Sequence, residues 1–153
     1  MPLSNGLCWY NLDTLQPEPA DWLPPEEACP FEDGVAIRGN EVFIVRGRRY
    51  GVLEEPCRTA TQALPENLRP VPGAQLRGIP YVLENTLVLL NRVTGLVERL
   101  DIRDAYKPVL LDAVVLPAHP EFAVSVDGAC WVACGHDGLF LLNEKSRSGF
   151  QES

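Results

Sequence analysis

A chain of 153 residues with 46% hydrophobic content suits one domain with a substantial core. No apolar run approaches the roughly 18 residues of a membrane-spanning helix, and the N-terminus lacks a basic-then-apolar leader, so a cytoplasmic location is expected. The net charge of −8, from 21 acids against 13 bases, offers no basic face to replace counterions on nucleic acid, which argues against that partner class.

The charge is unevenly placed. Residues 1–33 hold seven acids (Asp13, Glu18, Asp21, Glu26, Glu27, Glu32, Asp33) and no Lys or Arg, while residues 34–153 are nearly neutral. The same opening stretch carries six of the 14 prolines. Gly6–Asp13 reads as a strand. Gln16–Pro30 is Pro- and acid-rich, and Pro24-Pro25-Glu26-Glu27 permits at most one helical turn. Residues 1–33 are therefore expected to form an acidic arm, pinned by Trp9 and Trp22 if it lies on the body and otherwise a disordered leader.

The body is expected over residues 34–143. Val35–Arg38, a Gly39-Asn40 turn and Glu41–Arg46 make a hairpin. Gly47-Arg48 turns the chain into Tyr50–Glu54. Cys57–Leu64 has the text of a short helix bracketed by Pro56 and Pro65. Pro70 and Pro72 then stiffen a corner, Gly73 releases it, and Gly78 allows a close backbone approach. Ile79–Leu83 and Leu87–Leu90 read as two strands joined at Glu84-Asn85, where Asn tolerates left-handed geometry. Leu96–Ile102 and Pro108–Leu116 follow. Asp127-Gly128 is the clearest hairpin turn in the chain, between Phe122–Val126 and Ala129–Cys134. Gly138–Leu142 closes the series, and residues 144–153 form a polar tail.

Short strands at roughly 8–12-residue spacing, with helix limited to short turns, define an all-β fold of the barrel or sandwich type. Several strands are apolar on both faces and must be covered on two sides, which favours small packed barrels. A period is also present. Gly6-Leu7, Gly51-Val52, Gly95-Leu96 and Gly138-Leu139 fall about 44 residues apart, the spacing of propeller blades, although three to three and a half blades do not close a ring in one chain.

Reaction chemistry is hard to find. Cys130-x-x-x-Cys134-x-His136-Asp137 has metal-ligand residue types. On a strand, however, the two sulfurs would stand about 13 Å apart, too far for one tetrahedral zinc. Five scattered cysteines (Cys8, Cys29, Cys57, Cys130, Cys134) are expected to be free thiols. His119 and His136 lie near no nucleophile motif, and the glycines precede no phosphate-binding helix. No cofactor, metal or catalytic residue is expected.

From Glu41 onward the chain resembles the CheW family of chemotaxis coupling proteins. Glu41–Leu53 is similar to the family's opening strand pair, and Leu68-Arg-Pro-Val-Pro-Gly-Ala74 to the corner after it. Arg77-Gly78-Ile79 and Leu87–Asn91 occupy the place of its Gly-x-x-Asn-x-Arg-Gly motif region. Pro120–Val124 and Gly138–Asn143 resemble the closing strands. The chain departs from the family at Tyr81, Leu83, Glu84 and Val88. The resemblance implies two five-stranded, SH3-like barrels side by side. It further implies a non-catalytic adaptor between chemoreceptor tips and a CheA-type histidine kinase, in a chemotaxis or pilus-motility system. Its partner-binding surface would involve Arg77, Ile79, Tyr81, Leu83, Glu84 and Asn85. A second resemblance runs through Gly95–Ile102, Lys107–Leu111 and Phe122–Gly128, which look like LVIVD-type propeller repeats. That alternative implies a partial propeller completed by self-association, binding a protein or small ligand.

Overall fold

The computed structural model describes the backbone of residues 9–11 and 16–18 and, in full, residues 33–54 and 67–142. Among the described residues twelve strands lie in this order: β1 Trp9–Asn11, β2 Gln16–Glu18, β3 Gly34–Arg38, β4 Glu41–Arg46, β5 Arg49–Glu54, β6 Ile79–Leu83, β7 Thr86–Leu90, β8 Leu96–Asp101, β9 Val109–Val115, β10 Phe122–Val126, β11 Ala129–Ala133 and β12 Leu139–Leu142. One 3-10 turn, Gly135–Asp137, precedes β12. The chain is all-β. The helix expected at Cys57–Leu64, the tail 144–153 and most of the acidic arm lie outside the described residues. Within the arm, β1 and β2 pair antiparallel as a hairpin.

Three antiparallel meanders make up the body: sheet I (β3-β4-β5), sheet II (β6-β7-β8-β9) and sheet III (β10-β11-β12). Each follows the chain without crossover, its strands joined by two-residue turns or by loops no longer than residues 102–108. Gly47 and Arg48 both take positive φ (59° and 62°), as do Asp127 and Gly128 (52° and 80°), the pattern of type I′ hairpins matched to strand twist. At Glu84-Asn85 the left-handed residue is Glu84 (φ 58°) rather than the Asn that the sequence suggests. Asn85 instead uses its side-chain oxygen to meet Arg38 and its carbonyl to accept the Ile102 N–H. The pairings among the described strands leave each sheet open at both edges. The glycine period has a structural counterpart: Gly51-Val52 lies in β5, and Gly95-Leu96 and Gly138-Leu139 enter β8 and β12, the third strand of each sheet.

The sheets stack face to face. Phe43, Val45, Tyr50 and Val52 of sheet I pack with Leu87, Leu89 and Leu100 of sheet II in one core. The opposite face of sheet II, with Val88, Leu90 and Val97, packs with Ala123, Cys130, Val132 and Leu142 of sheet III in a second core. This is why β7 reads as a continuous apolar run: it is buried on both sides. Between sheets, close approaches run through the first strands, β3 with β6 and β6 with β10, and through β4 and β7 beside them, rather than through the outer strands. The stack is therefore a fan, tight along one side and splayed along the other.

Two devices complete sheet I. The amide of Asn67 accepts from Val52 N and donates to Val52 O, and Tyr50 exchanges both backbone hydrogen bonds with Arg69. Residues 67–69 thus stand where a fourth strand would. Gly51 is required there, since a Cβ would lie 2.8 Å from Asn67 Oδ1 and Leu68 Cδ2. The corner beyond ends at Gly78, where a Cβ would sit 2.7 Å from Leu90 N, the close approach expected from the sequence.

Candidate functional site

The first strands β3, β6 and β10 start at the same end of the fan. Gly34 lies against Pro80, with an added Cβ 2.9 Å from Pro80 Cδ, and the Tyr81 hydroxyl reaches Glu121 immediately before β10. A charged residue stands at the entrance to each of these strands: Asp33 before β3, Arg77 before β6 and Glu121 before β10. Asp33 accepts the Gly47 N–H at 3.0 Å. Glu121 is a junction. Its carbonyl accepts from Tyr81 Oη (2.7 Å) and Arg92 Nη2 (3.0 Å), and its N–H donates to Ala133 O (2.7 Å). Its carboxylate lies over the Gly135 backbone.

The β7–β8 loop supplies the rest. Asn91, buried, accepts from Val93 N and Thr94 N at 2.9 Å each and donates to Arg77 O at 2.7 Å, which fixes the loop that carries Arg92. His119 Nδ1 lies 2.8 Å from Arg92 O. A carbonyl only accepts, so the proton is on Nδ1. The result is an exposed polar end with the guanidinium of Arg92, the imidazole of His119 and the carboxylate of Glu121, and a half-buried Tyr81.

Its groups hydrogen-bond backbone carbonyls, so they hold loops in register. Cys134 beside it is a buried free thiol. Burial raises its pKa, and the charges of Asp137 and Glu121 raise it further, so little reactive thiolate forms. Cys130 is also free and buried, with its thiol pKa pushed up by burial. Among the described residues, no three His, Cys, Asp or Glu side chains gather where they could hold a metal. The end offers donors, an acceptor and an aromatic on a frame fixed by these hydrogen bonds.

The six residues singled out from the sequence are spread along β6. Arg77 and Tyr81 belong to the polar end. Tyr81 and Leu83 pack against the second core, and Ile79 is half-buried near Gly34. Glu84 and Asn85 are exposed at the opposite end, about 17 Å away at the usual rise of a strand. There Arg38 Nη1 donates to Glu84 O and Asn85 Oδ1 at 3.3 Å each, ties to Glu41 (2.8 Å) and lies 5.1 Å over the Phe43 ring. Arg38 thereby bolts the tip of sheet I to the tip of sheet II. Arg92 and Glu121 carry no local signal in the sequence, because they meet only through stacking, whereas Asn91 holds Val93 and Thr94 by a local Asx-type turn. No protein-family model matches this chain, and no curated protein matches it either.

Proposed function

We propose that this chain is a non-catalytic adaptor that binds protein partners, built as part of a β-propeller rather than as a pair of barrels. The observation that carries the reading is the fan of three open meanders whose first strands converge and begin at one polar end. In that architecture the end of the first strands is where loops from several sheets meet, and ligands dock there. Arg92, His119, Glu121 and Tyr81 are the contact residues. A second reading, the coupling adaptor of a chemosensory array, is favoured by the exposed Glu84-Asn85 tip at the junction of sheets I and II. Under it, the partners are a CheA-type kinase regulatory domain and a chemoreceptor tip.

One titration tests both. Isotope-labelled protein is mixed with a CheA-type regulatory domain and amide shifts are followed. Saturable shifts around Arg92 and Glu121 that Arg92→Glu abolishes support docking at the polar end. Shifts around Glu84 and Asn85 that Glu84→Arg abolishes support the coupling reading. Absence of saturable binding at high micromolar concentration removes the kinase as partner under either.

A further inference from the structure

The stack has two terminal faces, and both present apolar side chains to solvent. On sheet III the residues that alternate with the second core are Phe122, Val124 and Val126 of β10, Trp131 of β11, and Leu139 and Leu141 of β12. Cross-strand pairing of Val124 with Trp131, and of Trp131 with Leu141, sets them on one face. No charged residue interrupts it, and Phe122, Val126 and Leu139 are 48%, 50% and 59% exposed. On sheet I the residues that alternate with the first core are Val35 and Ile37 of β3, 42% and 65% exposed. Val42 and Ile44, opposite them on β4, are buried, so the open part of this face is its β3 side.

These faces match each other. Within the chain, each sheet-on-sheet contact joins two apolar faces along the first strands. The residues left uncovered on the two terminal sheets are Val35 and Ile37 of the first strand β3, Phe122, Val124 and Val126 of the first strand β10, and Leu139 of β12. They are the two halves of one more contact of the same kind, set at opposite ends of a fan. A sheet face this apolar is uncommon on a monomer.

We propose that a second copy of this chain covers them. Sheet III of each protomer packs on the β3 side of sheet I of the other, and a two-fold axis closes six meanders into one ring. The proposal rests on reading the three sheets as part of a propeller. Six sheets lie within the range of closed propellers. The contact is heterologous in its surfaces yet closes after two copies, so it gives a dimer and not a fibre. Closure also aligns the two polar ends around one axis, which would double the docking surface for a partner.

The test is solution mass by light scattering on the full chain, wild type and two variants at exposed positions. Val124→Glu alters sheet III and Ile37→Arg alters sheet I. The wild type is expected at twice the 16.9 kDa chain mass. Each variant alone is expected as a monomer, and the two mixed are expected to recover the dimer, because one contact is native and the other pairs Glu with Arg. A wild-type monomer overturns the proposal. So does a dimer broken by Val124→Glu but indifferent to Ile37→Arg, which would mean sheet III packs on itself, and so does a growing series of oligomers. Nuclear Overhauser contacts between Gly34 and Pro80, read in the wild type as well as in the Val124→Glu protein, report the internal stack separately. If the contacts persist in a monomeric wild type, only the second copy is refuted; if they are missing, the propeller reading fails.

Discussion

Glu98 is the most demanding residue of the core. It lies on β8 with 2% of its surface exposed, and its two carboxylate oxygens accept the backbone N–H groups of Gln75 (2.7 Å) and Leu76 (2.9 Å). Those amides belong to the corner that leads into β6. Leu76 is itself held at φ 53°, a left-handed conformation that costs a branched side chain on the order of 1 kcal/mol or more, while its side chain is buried in the first core. The carboxylate offsets that strain. Glu98→Gln keeps the shape but turns one acceptor into a donor, so one buried N–H faces an NH2 group. Hydrogen bonds to charged groups contribute about 1.5–3 kcal/mol, and an unsatisfied buried group costs about 1–3 kcal/mol. The substitution is therefore expected to lose roughly 2–4 kcal/mol out of a total of about 5–15 kcal/mol. In urea this lowers the midpoint by about 1–2 M at an m-value near 2 kcal/mol/M, with m unchanged. A loss below about 0.5 kcal/mol would refute the reasoning, since it would mean that water serves those amides as well as Glu98 does.

Three further outcomes follow from the same packing. Arg99 and Asp112 form a bidentate pair (2.9 and 2.7 Å) with 7% and 6% of their side chains exposed, so Asp112→Ala should cost about 3 kcal/mol in urea. Replacing both by Met and Leu should cost less than about 1 kcal/mol, because neither charge is then left buried alone. Tyr50 is buried, its hydroxyl donates to Ala105 O, and burial raises its pKa well above the ordinary 10 of a tyrosine. Because the folded state holds the proton more tightly, stability is full below pH 10 and falls as pH rises above it. Tyr50→Phe should flatten that alkaline slope in melts taken across the range. The buried Cys130 and Cys134 should react with a disulfide reagent far more slowly in native protein than in denaturant, as read by thiol titration at pH 8.

The strands were legible in the sequence because their signals are local. Gly39-Asn40, Gly47-Arg48 and Asp127-Gly128 mark two-residue turns, and the runs between them alternate or stay apolar according to whether one face or two are buried. Phe122–Val126 and Glu41–Arg46 could be read to the residue for that reason. The site was not legible. Tyr81 and Glu121 are 40 residues apart and meet only because sheets II and III stack, and Arg92 and His119, 27 apart, meet only because β9 and the residues after it pair beside β8. Asn67 is a further case: nothing in its neighbourhood shows that its amide will stand in for a strand along β5.

Strands apolar on both faces fit two architectures, a barrel pressed against another barrel or a sheet pressed between two others. The pattern on the terminal sheets separates them. In a pair of closed barrels, each strand has one face in its own barrel and the only doubly buried strands lie at the barrel-to-barrel contact. In a fan of open sheets, the inner strands of the middle sheet are doubly buried and the outer sheets are buried on one face. Sheet II fits the second description in its inner strands: β7 and β8 are buried almost without interruption, while the outer strand β9 alternates exposed and half-buried residues. In β10, by contrast, the outward residues Phe122, Val124 and Val126 remain apolar although they meet solvent in the single chain. A strand that ended a stack in water would carry polar residues there, as one-sided antiparallel sheets do. The sequence of β10 is that of a strand with something against both faces, which is the physical reason for expecting the stack to continue beyond sheet III.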